Sequence, residues 1–375
     1  MSTNIQYQNE VMKREYFQFL TDSKGFQQLS IDEHEKAIWL WQDFTSNADF
    51  RTFSKKKATE FRDWLKAKKK THNTNIKVSL THCYHMLRHL RVFFDWLAKQ
   101  PTYKSKIVAS DIDYLGLNRA DTRIATQKER KESPSIEQVK TVIEGIQSNS
   151  EIGMRDRALI SLFYLTGARI SAVCSLPLGC LDEVKLILDQ DPKRGVKTKN
   201  RKRIPTRFFP LPYTQPLDYV VNWVKYLKDK KGFSPDDPLF PATLRYQTGD
   251  KKLAFSSQMV GNEFWKTTAS ARKILQKRFE EVGLPYYNPH SFRDTIVKEY
   301  TRTRLTEEEK KAISQNLGHE NVGTTFGSYG HGKLPEDRQF EIIESINTQQ
   351  DTLSTSPLDE ETLRRIIREE TGKQK

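Results

Sequence analysis

The sequence predicts a mainly α-helical protein with a small β-sheet, divided into an N-terminal helical domain and a larger mixed α/β domain that is mostly α. Three observations predict this class. Apolar residues recur at helical spacing through most of the chain, β-like segments at 184–188 and 203–209 flank a basic stretch, and a charged, aperiodic stretch separates two periodic regions. A chain of 375 residues is also too long for one ordinary core.

The domain boundaries follow from this periodicity. Residues 118–133 (NRADTRIATQKERKES) are interpreted as an interdomain linker. The predicted segments are an N-terminal helical extension, a helical domain, the linker, a second domain and a C-terminal tail, at 1–30, 31–117, 118–133, 134–346 and 347–375. The tail holds a short apolar stretch at 358–370 with too little apolar area to fold alone, so we expect it to dock on its own domain or on a neighbouring protomer.

Caps and apolar stripes predict the helices of the first domain. Ser30 and Glu33 form a capping box, and Ser54 can cap the next helix. The clearest helix has an apolar stripe with alternating steps of three and four, made by Leu80, Cys83, Leu87, Leu90, Phe94 and Leu97. The same helix carries a row of histidines that favours a solvated or DNA-facing flank over a metal site. They are His82, His85 and His89.

Two capping boxes and one sheet are predicted in the second domain. Residues 135–138 form the first box, and residues 306–309 form the second, whose helix should end at Gly318. Residues 288–289 form an Asn-Pro pair that can open another helix. The β-like segments would form a small sheet with Lys197 at or near the hairpin between them.

The charge distribution favours a polyanionic partner. The chain has 62 Lys and Arg against 48 Asp and Glu, a formal net charge of +14. Residues 51–110 contain 15 Lys or Arg and 3 Asp or Glu, a net charge of +12. The candidate DNA-contacting residues are Lys55, Lys56, Lys57, Lys68, Lys69, Lys70, Lys77, Arg88, Arg91, Lys199 and Arg201. The alternative is that these charges form solvated helix faces.

Other classes of protein are disfavoured. The sequence has no run of roughly 18 apolar residues and no signal-peptide pattern, so we expect no membrane partner and a cytoplasmic location. Cys83, Cys174 and Cys180 form no metal-type cluster and are interpreted as core residues in a reducing compartment. We expect no metal and no cofactor.

An ordered set of polar side chains in the second domain indicates phosphoryl chemistry. Arg169 lies in TGARISAVCSL, and His290 and Arg293 lie three apart in PHSFRDT, which places both on one helix face. His319 follows in NLGHENVGTT and Tyr329 in TTFGSYGH. Two guanidiniums can bind the non-bridging oxygens of one phosphate, imidazoles can transfer protons, and a phenol can attack phosphorus.

These motifs resemble those of the tyrosine recombinases of the phage-integrase class. The family pattern is an Arg in TGxRxSE, a Lys on a β-hairpin, HxxR, and LGH followed closely by Tyr. TGARIS, PHSFR, LGHENVGTT and SYGH match it over residues 133–346, and residues 31–110 resemble the family's helical core-binding domain more loosely. There are two departures. Ala172 replaces the Glu of TGxRxSE, and the interval from His319 to Tyr329 is one residue longer than the common one.

The resemblance implies roles for the site residues. Tyr329 would attack the phosphodiester to form a 3′-phosphotyrosyl bond, and Lys197 would protonate the leaving 5′ oxygen. Lys197 precedes Pro205 by the eight residues that the family pattern shows, but Lys199 lies in the same basic stretch and is the alternative. His290 would act as the base, the two arginines would stabilise the developing charge, and His319 would donate a hydrogen bond to the phosphate.

The resemblance also implies partners. These are double-stranded DNA at specific sites, four protomers around two sites, and accessory proteins that set direction. Integration, excision and resolution stay open. The alternatives to a recombinase are a type IB topoisomerase-like enzyme, which rejoins the same strand, and a DNA-binding protein of this fold with an inactive site.

Overall fold

The structure is a computed structural model that describes residues 2–70, 73–127, 132–247 and 253–327. The chain divides into two compact units, Met1–Glu129 and Arg130–Lys375. Helices dominate both units, and the strands form small antiparallel sheets, so the predicted mainly α fold with a small β component is confirmed. Within these ranges, none of the helices combines the length and the apolar character that a membrane span needs.

The described part of the first unit contains five α-helices and one short antiparallel hairpin. They are α1 (Ser2–Asp22), α2 (Gln28–Phe44), α3 (Lys55–Ala67), β1 (Lys69–Lys70), β2 (Asn73–Lys77), α4 (Leu80–Leu97) and α5 (Arg119–Thr126). One apolar core joins α1 to α4, with Tyr16, Trp41 and Phe94 at its centre. The predicted cap at Ser54 is confirmed, because its side chain accepts a hydrogen bond from the Lys57 amide.

Two predictions for this unit are wrong. The interpretation of residues 118–133 as a linker fails at its start, because Lys66 forms a 2.6 Å ion pair with Asp121 and Thr81 Oγ1 donates to Ala125 O at 2.9 Å, which anchors α5 to the unit. The capping box at Ser30 also fails, because α2 begins one turn earlier and its N-cap is Gln27. The predicted extension forms α1, which shares the core of the unit.

The second unit contains most of the helices and two of the sheets that the structure describes. Its helices are α6 (Ile136–Gly145), α7 (Glu151–Thr166), α8 (Ile170–Val173), α9 (Pro216–Asp229), α10 (Ala269–Glu281), α11 (Ser291–Tyr300), α12 (Glu307–Asn316) and α13 (Val322–Phe326). Its strands are β3 (Leu181–Asp182), β4 (Ile187–Gln190), β5 (Ile204–Arg207), β6 (Thr243–Gln247) and β7 (Leu253–Val260). The capping boxes predicted before α6 and α12 are both present. α7 is buried on almost every side and forms the centre of this core.

The predicted sheet is present with one more strand than the sequence indicated. β3, β4 and β5 form an antiparallel sheet in that order, with Leu188 opposite Thr206 and Gln190 opposite Ile204. The basic stretch 191–203, with Lys197, connects β4 to β5 as predicted. The predicted start of α11 at 288–289 is wrong, because Asn288 O accepts from the Ser291 amide in a turn that precedes the helix.

The β6–β7 hairpin was not predicted, because most of its described side chains are solvent-exposed or half-buried and give little apolar alternation. A buried network secures its base. Arg155, which is 1% exposed, pairs with Asp156 at 2.8 Å and donates to Pro241 O at 3.2 Å and to Thr243 Oγ1 at 3.1 Å. Arg278 binds the other oxygen of Asp156 at 2.6 Å. A buried guanidinium needs such partners, and two of them, Pro241 and Thr243, lie 86 and 88 residues away in the sequence.

Candidate active site

A pocket of about 380 Å³ in the second unit brings predicted site residues together. Arg169 lies at the start of α8, His290 at the start of α11, and His319 after the end of α12. The other lining residues are Lys199, Asn200, Lys202, Ile204, Gly318, Glu320, Asn321 and Thr324. The volume lies within the roughly 300–1,000 Å³ typical of ligand pockets. Three of the six predicted catalytic residues therefore share one cavity.

A glycine turn sets the position of Arg169. α7 ends at Gly167, which adopts the left-handed conformation with φ 56° and donates its amide to Phe163 O at 2.8 Å. Thr166 Oγ1 accepts from the Ala168 amide at 3.1 Å and closes the turn. The chain then enters α8 with the half-buried Arg169 as its N-cap residue, facing the pocket.

Replacing Gly167 by Ala is expected to destabilise the protein and disturb the site. A left-handed residue with a side chain costs about 1–2 kcal/mol. A Cβ here would also lie 3.0 Å from Arg293 Cγ and 3.1 Å from carbons of Ile296 and Leu317. Gly283→Ala is the matched control, because Gly283 has φ 71° and open space around it. Urea unfolding should show a larger loss of unfolding free energy for Gly167→Ala than for Gly283→Ala. Equal losses would contradict the close packing around Gly167.

Arg293 lies behind the pocket wall. It is 2% exposed; its Nε donates to Gly167 O at 2.6 Å, and its Nη1 donates to His319 Nε2 at 2.8 Å. The turn before α11 is held by Ser291, whose hydroxyl donates to Asn288 O at 2.7 Å. The sequence predicted that His290 and Arg293 lie side by side. In the structure the His290 imidazole is exposed at the pocket, and the Arg293 guanidinium is buried beneath it.

His319 is held in a buried turn. Gly318, with φ 72°, lies so close to β5 that a Cβ would come within 2.8 Å of Ile204 carbons. The His319 amide donates to Ser314 O at 3.0 Å, and the ring is 6% exposed. Burial, followed by the charges of Arg293, Arg169, His290 and Lys199, lowers the pKa of His319 from 6.5 to about 3. The imidazole is therefore neutral at physiological pH.

Acidification is expected to destabilise the second unit through His319. Between about pH 3 and pH 6.5 the unfolded chain binds a proton that the folded protein resists, because the folded pKa is depressed. The contribution of His319 is complete above pH 6.5 and declines as the pH falls towards 3. Amide protection factors in α7, corrected for the intrinsic exchange rate at each pH, should fall less steeply on acidification in His319→Gln than in the wild type. Parallel pH profiles would contradict the depressed pKa.

The same pH range includes a titration in the first unit. His34 Nδ1 lies 2.8 Å from the Tyr16 hydroxyl, and His34 Nε2 lies 3.1 Å from His89 Nδ1. Burial, with the charges of His89 and Arg88, lowers the pKa of His34 to about 4. His34→Asn is therefore a control that should change exchange in the first unit and leave the α7 profile unchanged.

Asn316 fixes α12 to the sheet. Its side-chain amide donates to Arg207 O at 2.8 Å and accepts from the Arg207 amide at 2.8 Å, so the side chain pairs with β5 like a strand residue. Thr206 Oγ1 also donates to Asn316 O at 2.9 Å. These contacts join the turn that holds His319 to β5, the strand that follows the basic stretch 191–203. Motif comparison did not identify Asn316, because its partners lie more than 100 residues earlier.

The two candidate lysines occupy different places in the β4–β5 connection. Lys199 lines the pocket, and its charge contributes to the lowered pKa of His319. Lys197 is exposed and does not line this pocket; its amide donates to Ser175 Oγ at 2.8 Å, which joins it to the segment after α8. Ala172, at the position of the family's Glu, is buried. Lys197 and Lys199 therefore both stay predictions for the general acid.

Tyr329 lies outside the described residues, as does the tail 347–375 with its predicted helix at 358–370. The nearest described elements are α13 and Gly327. Thr324 on α13 lines the pocket, and Thr325 is buried against His319 with Oγ1 2.8 Å from Nδ1. The predicted nucleophile therefore follows directly, in the sequence, a segment that contributes to the site.

Several of the predicted DNA-contacting residues have intrachain partners. Lys68 Nζ pairs with Asp43 at 3.1 Å, and Arg91 pairs with Asp113. Three other lysines of this set also have contacts within the first unit. Lys55 Nζ lies 4.4 Å from the Tyr114 ring centre, Lys56 Nζ lies 3.9 Å from Glu60, and Lys57 Nζ donates to Thr52 at 2.7 Å. Exposed pairs contribute about 0–1 kcal/mol, so phosphates could replace these partners.

The other predicted DNA-contacting residues lie in both units. Lys69, Lys77 and Arg88 are exposed in the first unit, while the Lys70 side chain lies outside the described part. Arg201 is exposed beside Lys199 in the second unit. DNA contact by all of these residues stays a prediction.

The histidine row on α4 is only partly a solvated flank. His82 and His85 are exposed as expected, whereas His89 is half-buried against His34. Nothing in the sequence around His34 indicated this pair, because the partners are 55 residues apart. Among the described residues, no three His, Cys, Asp or Glu side chains are arranged to hold a metal ion. The three cysteines are free and buried.

Comparison with family profiles identifies the same family as the motifs at this pocket. The profile of the phage integrase family matches residues 135–334, more than half of the chain. The chain therefore belongs to the phage integrase family, the tyrosine recombinases. The matched range begins at the cap of α6 and includes every predicted catalytic residue.

Individual relatives are distant. The tyrosine recombinase XerC of Natranaerobius thermophilus is 23% identical over 328 residues, which are 84% of this chain and 92% of that protein. XerC of Actinobacillus succinogenes is 28% identical over 184 residues, which are 48% of this chain and 50% of that protein. The chain spans about half the length of several curated relatives that it matches.

Solved structures of integrases share the fold, and two of them are described here. The lambda integrase tetramer bound to a Holliday junction has a TM-score of 0.55 and 11% identity, covering 88% of this chain and 79% of that chain. The Tn1549 transposon integrase in complex with a circular intermediate DNA has a TM-score of 0.54 and 14% identity, covering 89% of this chain and 99% of that chain. At such identities the similarity establishes the fold alone.

Proposed function

We propose that the chain cuts and rejoins DNA at specific sites through a 3′-phosphotyrosyl intermediate. One observation carries this proposal. Arg169, His290 and His319 come from three separate segments yet line one basic pocket, and Arg293 is hydrogen-bonded to His319 directly behind it. Membership of the phage integrase family supports the same activity.

The charges at the pocket favour a phosphate diester. Arg169, Lys199 and Lys202 supply positive charge, and the one acid among the lining residues, Glu320, pairs with Lys202 at 3.1 Å. Guanidinium groups recognise phosphate oxygens through charge-assisted hydrogen bonds. Bound DNA would cover the pocket and exclude water, which would strengthen these interactions relative to bulk water.

The chemistry requires activation of Tyr329. A phenol with a pKa of about 10 is ionised to about one part in a thousand at pH 7, a cost of roughly 4 kcal/mol for an anionic nucleophile. His290, exposed at the pocket, would accept the phenol proton as Tyr329 forms its bond to phosphorus. Lys197 or Lys199 would protonate the 5′ oxygen as the phosphorus–oxygen bond breaks. Arg169 and Arg293 would stabilise the charge on the phosphorane.

Covalent connectivity allows Tyr329 to reach this pocket. Tyr329 follows Thr324, a lining residue, by five positions, and five residues of extended chain span at most about 18 Å. Rejoining follows by the reverse attack of a 5′-hydroxyl, because the phosphotyrosyl bond retains the energy of the phosphodiester. No cofactor is required in this scheme.

The partners follow from the same proposal. Residues 31–117 would form the core-binding domain and residues 134–346 the catalytic domain, which together would hold double-stranded DNA. Four protomers would assemble on two DNA sites, with the tail 347–375 docking on a neighbour. The lambda integrase structure, a tetramer bound to a Holliday junction, supports this assembly. Accessory proteins would set the direction of the reaction in the cytoplasm.

Covalent trapping tests the proposal and identifies the DNA site in the same experiment. Cells that express the chain are lysed in denaturant, and DNA that stays attached to it is sequenced. We expect enrichment of specific sequences linked through a 3′-phosphate, with free 5′-hydroxyl ends. Supercoil relaxation without site enrichment would favour the topoisomerase-like alternative. Specific binding with no covalent DNA would mean an inactive DNA-binding protein.

A further inference from the structure

We propose that Ser175 is a positioning residue that fixes the backbone of Lys197 against α8, so that Lys197 delivers the proton to the leaving 5′ oxygen. This inference rests on the proposed function and concerns the same reaction. It assigns a role to a serine outside the six predicted catalytic positions. It also distinguishes the two candidate lysines, Lys197 and Lys199, by how firmly the fold holds the backbone of each.

Hydrogen bonds connect Lys197 to the helix that begins after Arg169. The Lys197 amide donates to Ser175 Oγ at 2.8 Å. The Ser175 hydroxyl donates to Ser171 O at 2.9 Å and also lies 3.1 Å from Ala172 O. A hydroxyl has one hydrogen to donate, and because carbonyls of α8 accept it, an oxygen lone pair is left for the Lys197 amide. The backbone of Lys197 is therefore joined to the helix for which Arg169 is the N-cap residue.

The residues on both sides of Lys197 strengthen this attachment. Val196 is 3% exposed and belongs to the core of the second unit, and Thr198 is 7% exposed. The Thr198 amide donates to Val196 O at 3.0 Å. Lys197 is thus an exposed side chain on a backbone whose neighbours on both sides are buried. The point from which its flexible four-carbon stem extends is fixed by the fold.

Lys199 lies in a turn that the fold holds less firmly. The Arg201 amide lies 3.4 Å from Thr198 O, and the Lys202 amide lies 3.4 Å from Lys199 O. Both distances exceed the roughly 2.7–3.2 Å that is typical of such hydrogen bonds. Asn200 and Arg201 adopt left-handed φ values of 58° and 52°, a conformation that residues with side chains disfavour. A general acid on this turn would have a less constrained backbone than one at position 197.

The reaction favours a general acid on a fixed backbone. As Tyr329 forms its bond to phosphorus, the bond from phosphorus to the 5′ oxygen breaks on the opposite side. The Lys197 ammonium gives one proton to that oxygen, which becomes the 5′-hydroxyl, and the amine recovers the proton when rejoining reverses the step. A group already held in the productive geometry loses little freedom in the transition state. Because the leaving oxygen lies opposite the nucleophile, its acid need not lie beside Thr324, which precedes Tyr329 in the pocket wall.

A leaving group that needs no proton separates the positioning of the acid from general damage to the site. The substrate is a nicked suicide duplex with the sequence recovered by covalent trapping, made with either oxygen or sulfur at the 5′ bridging position. A thiol has a pKa of about 8.5 and leaves as the thiolate, so the sulfur substrate bypasses the general acid. We expect Lys197→Met to slow adduct formation about 100- to 10,000-fold on the oxygen substrate and to react at a near-wild-type rate on the sulfur substrate.

Ser175→Ala should show the same pattern with a smaller loss. We expect adduct formation to slow about 5- to 100-fold on the oxygen substrate, because an amide without its partner no longer fixes the lysine, and to be near normal on the sulfur substrate. Ser175→Thr keeps the hydroxyl and should react near normally on both. Ser150→Ala is the matched control, because Ser150 Oγ accepts from the Gly153 amide at 3.1 Å at the start of α7. It should also react near normally on both substrates.

Three outcomes in an active wild type would overturn the inference. Equal losses for Ser175→Ala on the two substrates would give Ser175 a structural role only. A wild-type rate for Ser175→Ala on the oxygen substrate would show that the contact does not matter for the reaction. A loss in Lys199→Met that sulfur restores, with a wild-type rate for Lys197→Met, would assign the proton to the other lysine.

Amide exchange on the full chain supplies a readout that does not depend on catalysis. The Lys197 amide should be protected in the wild type although its side chain is exposed, and Ser175→Ala should lose this protection while α7 keeps its own. An unprotected Lys197 amide in the wild type would overturn the inference. A wild type that forms no adduct on either substrate would instead refute the proposed function and the catalytic role that rests on it, while the exchange of this amide still decides whether Ser175 fixes the backbone.

Discussion

Replacing Tyr329 by Phe is expected to abolish covalent attachment to DNA while DNA binding is retained. Phenylalanine lacks the oxygen that would bond to phosphorus, so no other change can compensate for it. The variant should bind the DNA duplex identified by covalent trapping with wild-type affinity. It should form no denaturant-resistant protein–DNA complex on a nicked suicide substrate. Gel mobility under native and denaturing conditions gives both readouts from one sample.

Tyr300→Phe is the matched control. Tyr300 ends α11, seven residues after Arg293, and it is half-buried with its hydroxyl 3.5 Å from Pro210 O. Burial raises its pKa, which disfavours the phenolate. Tyr300→Phe should form adducts normally. Normal adducts from Tyr329→Phe together with loss in Tyr300→Phe would reassign the nucleophile.

Replacing Arg293 by Lys is expected to slow adduct formation by about 100- to 1,000-fold, the range for removing one preorganised donor from an oxyanion site. Lysine keeps the charge but lacks the fork that contacts Gly167 O and His319 Nε2. Single-turnover kinetics at saturating DNA measures this loss. DNA binding should weaken only modestly, because the variant leaves the other proposed phosphate contacts unchanged.

Arg278→Lys is the matched control for Arg293→Lys. Arg278 is also largely buried, but it pairs with Asp156 at 2.6 Å and Glu281 at 2.8 Å, whereas Arg293 is hydrogen-bonded to His319 at the pocket. Both variants replace a largely buried guanidinium with an ammonium group, so urea unfolding should show comparable losses of unfolding free energy. Equal kinetic losses in both variants, in proportion to the unfolded fraction, would assign Arg293 a structural role only.

Local chemistry made much of the fold predictable from the sequence. Caps at Ser54 and Ser135 and the stripe on α4 depend on neighbours within a few residues, and the structure has them where they were predicted. The site motifs were identifiable for the same reason, because TGARIS and LGH each fix a glycine turn next to the functional side chain. Gly167 and Gly318 both adopt positive φ.

Contacts between distant residues were not predictable in this way. α5 looked aperiodic because it is anchored by polar contacts, Lys66 to Asp121 among them, instead of an apolar stripe. The β6–β7 hairpin depends on the buried Arg155, and the turn of His319 depends on the pairing of Asn316 with β5. Such partners are adjacent only after folding.

The predicted catalytic residues show the same difference between local motifs and contacts formed on folding. The sequence predicted Arg169, His290 and His319 as neighbours, and the structure has all three at one pocket. It could not distinguish Lys197 from Lys199, because four lysines occupy one short connection between two strands. It also gave no signal for the contact of Thr325 with His319, since hydroxyl residues are common in any sequence.

A structure of the protein trapped on nicked suicide DNA tests the proposed catalytic pocket most directly. We expect one phosphorus bonded to Tyr329 Oη inside the pocket, with Arg169 and Arg293 on its non-bridging oxygens and a lysine of the β4–β5 connection at the 5′ oxygen. A phosphorus bonded to another residue, or a phosphotyrosine remote from both guanidiniums, would contradict it.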